Sequence, residues 1–110
     1  MSVSTKKILK AVKSFIKLRN RDFLGFIEDC GNDYAVWHDL EDDALVFAKV
    51  VFSRDGLPDD AFDKSEFERV AADWLEDHGD LVDIYVRGDV ISIHVIADDR
   101  AFMRHHKGFI

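Results

Sequence analysis

The chain has 110 residues, of which 47% are apolar and 34% charged. That balance builds one compact core and excludes wholesale disorder. A single cysteine, Cys30, excludes an internal disulfide and a cysteine-rich zinc site. The longest apolar runs are too short to span a bilayer, so no membrane partner is expected. Net charge is −7, which argues against tight, indiscriminate binding to nucleic acid. The charge is uneven: residues 1–22 carry +6 and residues 23–110 carry −13.

Ser4 or Thr5 can cap a helix over about residues 5–20. Ile8, Leu9, Val12, Phe15 and Ile16 form one apolar stripe at helical spacing. Lys6, Lys10, Lys13 and Lys17 fall on a separate arc, about 130° away. The helix therefore docks by its apolar side and presents lysines to solvent. Three readings fit that basic face: a solvated helix, a contact with a polyanion such as DNA or RNA, or a contact with an acidic protein face. The same lysines interrupt any apolar signal-peptide core, which predicts a cytoplasmic location.

Residues 23–29 read as a short strand, 30–33 as a turn, and 34–39 as a second strand. An acidic turn follows at 40–43. Residues 44–53 (ALVFAKVVFS) are a near-continuous apolar run, the mark of a central strand covered on both faces. Residues 54–63 read as a loop with the only proline, Pro58. Phe67, Val70, Ala71, Trp74 and Leu75 mark the apolar side of a helix over about 64–77. Residues 81–86 and 90–97 read as strands joined by a turn at Arg87-Gly88-Asp89. Residues 98–110 read as mixed and partly helical, with 103–110 a tail beyond the core. The order α-β-β-β-α-β-β predicts a single domain with a mixed sheet flanked by helices.

No nucleophile motif and no glycine-rich phosphate loop is present. His105-His106 read as a solvated tail, since neighbouring residues point apart. His94 lies within a strand and reads as a packed histidine. Asp39, Glu41, Asp42 and Asp43 could hold Ca²⁺ or Mg²⁺, yet they lack the alternating spacing of a calcium loop and read as a solvated turn.

The stretch 33–53, DYAVWHDLEDDALVFAKVVFS, resembles the central hairpin of the YraN-like endonucleases. That family belongs to the restriction-endonuclease-like superfamily, related to Holliday-junction resolvases. Its pattern there reads approximately GEIDLIA, a short turn, then LVFVEVK; Leu45-Val46-Phe47 matches the LVF. Ala71-x-x-Trp74-Leu75 is similar to the family's A-x-x-W/Y-L helix end, and Leu81-Val82-Asp83-Ile84 to its next strand. Ile93-His94-Val95 and Ala101-Phe102 are similar to its closing strand. The resemblance spans about residues 8–102 and implies a nuclease-like core over about 21–102.

In that family a Glu, an Asp, a second Glu and a Lys hold a divalent cation and activate water. The matching positions here are Tyr34, Val36, Lys49 and Val51. Valine offers no ligand, and a lysine ammonium sits where Mg²⁺ would need carboxylate oxygen. The resemblance therefore implies a degenerate, catalytically inactive nuclease fold with no cofactor and no metal. It would bind nucleic acid weakly through Lys6, Lys10, Lys13 and Lys17, or bind a protein partner. Two alternatives remain open. One is an active Mg²⁺-dependent endonuclease using displaced carboxylates, with Glu28, Asp33 and Asp39 as candidates. The other is an interaction or homodimer module, its lysines meeting Asp42 and Asp43 of a second copy. Strand alternation points Lys49 into a patch of Tyr34, Val36 and Val51. There it needs a partner, with Glu28, Asp33 or the Tyr34 hydroxyl as candidates, or else snorkels to the surface.

Overall fold

The computed structural model describes residues 5–29, 31–56, 62–79, 84–97 and 100–108. Its elements run α1 (Thr5–Lys17), β1 (Arg21–Asp29), β2 (Asn32–Asp39), β3 (Ala44–Ser53), α2 (Lys64–Glu76), β4 (Tyr85–Ala97) and β5 (Arg100–His106). The five strands form one mixed sheet in chain order. β3 and β4 are parallel and every other neighbouring pair is antiparallel. A parallel pair needs a crossover connection, and that connection carries α2. The expected order of helices and strands is the observed one.

β3 organises the layers. Its first seven residues are all buried. Ala44, Val46, Ala48 and Val50 pack with Ile8, Val12 and Ile16 of α1, and with Ala35, Trp37, Ile91 and Ile93 of the flanking strands. Leu45 and Phe47 pack on the other face with Tyr34, Val36 and Phe67, Val70 and Ala71 of α2. The two helices thus cover opposite faces of the sheet. Asp63 caps α2, its carboxylate accepting from the Glu66 N–H at 3.0 Å.

The last two strands differ from their expected positions. Arg87-Gly88-Asp89 is no turn; it lies inside the continuous 13-residue strand β4. Its charges are neutralised within the protein. Arg87 donates to both carboxylate oxygens of Asp89, at 2.9 and 3.0 Å, and also to Asp39 at 3.3 Å and Asp42 at 2.9 Å. Gly88 is required by packing, since a Cβ there would stand 2.8 Å from the Phe62 ring and 3.0 Å from that of Phe67. The described part of the tail, residues 100–108, is also not helical. Residues Arg100–His106 form β5, and His105 is half-buried with its side chain turned inward, its Nε2 2.7 Å from Asp89 Oδ2. Cys30, Pro58 and residues 81–83 lie outside the described residues. Among the described residues no helix is long and apolar enough to cross a membrane.

Asp89 is wholly buried. Burial opposes its ionisation, but hydrogen bonds from His105, Arg87 and the Gly108 N–H outweigh that and hold the carboxyl below its ordinary range. The acidic turn is likewise engaged: Asp39 and Asp42 bind Arg87, and Asp43 lies 2.8 Å from His38.

Trp74 is half-buried, edge-on to Phe47 at 5.7 Å and stacked on His78 at 3.7 Å. Trp74→Ala should therefore cost about 3 kcal/mol in denaturant unfolding, the lower end for large aromatics. A cost below about 1 kcal/mol would contradict the packing of α2.

Candidate functional site

Two features on opposite sides of the sheet are candidates. The first is the set of four hairpin positions Tyr34, Val36, Lys49 and Val51. Tyr34 and Lys49 are direct cross-strand partners, and Val36 is opposite Phe47. Tyr34 and Val36 are fully buried, Lys49 is nearly so, and Val51 is half-buried. The positions converge as the alternation of the hairpin requires, on the α2 side.

The partner of Lys49 is neither Glu28 nor Asp33. Its Nζ lies 3.1 Å from Oε1 of Glu66, on the first turn of α2. The same oxygen accepts from the Tyr34 hydroxyl at 2.5 Å, and Oε2 accepts from Asn32 Nδ2 at 3.3 Å. Lys49 therefore stays buried and paired rather than snorkelling outward. Burial, and then the hydrogen bond to Glu66, push the Tyr34 hydroxyl well above its ordinary range, so it remains a donor. One carboxylate thus gathers three donors and ties β2 and β3 to α2. The group is a closed polar knot inside an apolar cluster. Glu66 was the residue missed in the sequence. Its signal was position: it lies one turn before Val70 on the side of the helix that faces the sheet.

The displaced-carboxylate candidates do not converge. Glu28 and Asp33 are cross-strand partners, and burial and then the Glu28 charge raise the Asp33 carboxyl. Asp39 is six residues along β2 from Asp33, about 20 Å at strand rise. It is buried at the far end of the strand, where burial opposes ionisation but hydrogen bonds from the Asp42 and Glu41 N–H groups, and then Arg87, hold its carboxyl low. Among the described residues, no three His, Cys, Asp or Glu side chains group to hold a metal ion.

The second feature is the outer side of α1. Lys6, Lys7, Lys10, Lys13 and Lys17 are all exposed, as is Arg19 just past the helix. Lys13 Nζ stands 5.4 Å from the centre of the Phe23 ring. Arg21 is turned inward. Its Nη2 lies 3.3 Å from His105 Nδ1 and its guanidinium sits over Phe15 and Trp37. No acidic residue occurs within 5–21.

The opposite layer has the opposite sign. A groove of about 240 Å³ runs between β1 and α2, with Ile27, Val70 and Trp74 for walls and Glu28, Asp29, Asp73 and Asp77 for carboxylates. Asp29 is bound by Arg69 at 2.5 Å. Compared with protein-family models and with curated proteins, the chain matches none.

The polar knot predicts strong coupling. Glu66→Leu leaves the Lys49 ammonium buried without its carboxylate and should cost about 3 kcal/mol, while Lys49→Met/Glu66→Leu should cost clearly less than the sum of the single changes. Additive costs in a double-mutant unfolding cycle would show the pair to be uncoupled. The knot also predicts alkaline sensitivity. The Tyr34 hydroxyl ionises later in the folded chain than in the unfolded one, so its contribution is complete below about pH 10 and is lost as pH rises beyond it. Urea midpoints taken from pH 8 to pH 11 should fall more steeply for the wild type than for Tyr34→Phe; parallel curves would refute this.

Proposed function

We propose that this protein is a nuclease-fold protein of the YraN-like type that binds nucleic acid by its phosphate backbone and does not cut it. The observation that carries the reading is the outer side of α1: six exposed cations between Lys6 and Arg19, with no acid among them. Lys6 to Lys17 spans about 16 Å of helix, enough to track several phosphates. Lysines on phosphates position a protein without reading bases, so no sequence preference is expected.

Three further points support the reading. The observed order, α-β-β-β-α-β-β with a mixed sheet, is the one that the resemblance implies. The positions where that family holds its cation are filled by a buried phenol, a valine, an ion-paired lysine and a second valine. The lysine face and those positions also lie on opposite sides of the sheet. A backbone held on α1 is kept away from Lys49 and Glu66 by the whole thickness of the sheet.

Binding should be weak, micromolar or looser, and steeply salt-dependent. Four phosphate contacts give a slope near −3.6 in log K against log salt on duplex DNA, about 0.9 per contact. Lys10→Glu/Lys13→Glu should flatten the slope by about two contacts' worth. Fluorescence anisotropy with labelled duplex and single strands at several salt concentrations makes the measurement. No binding at low salt would dismiss the reading. Chelator-sensitive cleavage that disappears in an Asp33 or Asp39 variant would replace it with an active nuclease.

A further inference from the structure

We infer that the acidic α2 layer of one copy is a docking surface for the lysine face of α1 on a second copy. The argument is charge complementarity between faces that one molecule cannot bring together. Residues 5–21 carry seven basic side chains and no acid, while residues 63–77 carry six acids and two bases. The two segments cover opposite sides of the same sheet. The acidic side is also shaped. The groove between β1 and α2 has Ile27, Val70 and Trp74 in its lining, with Asp73 and Asp77 one helical turn apart. Lys13 and Lys17 have the same one-turn spacing on α1, as do Lys6 and Lys10. A lysine can lay its alkyl stem along the apolar lining and bring its ammonium among the carboxylates. Among the described residues Glu28, Asp73 and Asp77 form no ion pair, so these carboxylates are unclaimed.

The expected acceptors Asp42 and Asp43 are unsuited, since Arg87 and His38 already engage them. A two-fold dimer is also unsuited: its one interface would have to hold both faces, which lie on opposite sides of the sheet, and an interface built on either face alone would set like charges together. The contact is therefore heterologous, α1 of one copy on α2 of the next, and each copy so joined still presents one free face, so association runs beyond a dimer, to a ring or an open chain. Nucleic acid and a second copy would compete for the same lysines. The association is weak, since exposed ion pairs each contribute little.

Sedimentation equilibrium tests this with the intact chain. At about 20 mM salt, where the Debye length is about 20 Å, apparent mass should rise with concentration and pass beyond that of a dimer; at about 0.5 M it should return to the monomer. Lys10→Gln/Lys13→Gln and Asp73→Asn/Asp77→Asn should each remain monomeric alone. Mixed in equal amounts, they should form a 1:1 pair and stop there, because each carries one intact face. A wild type monomeric at low salt, a mixture with no pair, or a dimer that neither variant affects would overturn the inference. Asp73→Asn/Asp77→Asn leaves α1 intact and should bind nucleic acid at least as well as the wild type. Loss of self-association and loss of nucleic-acid binding are thus read separately.

Discussion

The burial of β3 on both faces is the constraint on which the rest of the molecule depends. A strand reading ALVFAKVVFS cannot leave either face to water, so the chain must supply two covering layers. α1 supplies one before the sheet begins, and α2 supplies the other in the crossover that parallel pairing of β3 with β4 demands. Each helix then turns a polar side outward. Because the sequence places its lysines on the first helix and its carboxylates on the second, the layering separates charge across the sheet. The charge asymmetry is thus a consequence of how the core is closed.

Lys49 is the only charged residue within that strand, and it shows how such a core accommodates an ammonium. The alternative to pairing it is loss of its proton or distortion of the strand. Glu66 reaches the site from the first turn of α2, the turn that Asp63 caps. Tyr34 and Asn32 donate to the same carboxylate, so three donors share its two oxygens. A half-satisfied version of this group would destabilise the core more than an apolar one. It therefore acts as a registration device, holding the β2–β3 hairpin and α2 in one relation.

How far the sequence could be read follows from this layering. α1, β3 and α2 were legible because each has a one-dimensional signature: a stripe at 3.6 residues, or a continuous apolar run. The last strands were not. Arg87-Gly88-Asp89 carries the charge and glycine content of a hairpin, and nothing local shows that Arg87 neutralises carboxylates 45 and 48 residues away. His105 was misjudged for the same reason, since its partner Asp89 is 16 residues distant. Glu66 was invisible as a partner because helix-start acids are usually explained by capping and the helix dipole. That Tyr34, Val36 and Lys49 share a face was legible, because strand alternation alone fixes which residues share one.

Net charge is a poor guide to what this molecule attracts. The −7 total sums faces that no ligand meets at once. The molecule measures 43 × 28 × 21 Å, so layers on opposite sides of the sheet stand roughly two Debye lengths apart at physiological salt, where that length is about 8 Å. A phosphate on α1 therefore experiences the nearby cations strongly and the distant carboxylates faintly. At low salt the screening length grows beyond the thickness of the protein, and the acidic layer begins to oppose a polyanion on α1. That opposition works against the usual gain from low salt, so the measured slope should be shallower in dilute buffer than the count of lysine contacts implies. The acidic layer thus tunes how steeply the lysine face responds to salt without touching the ligand.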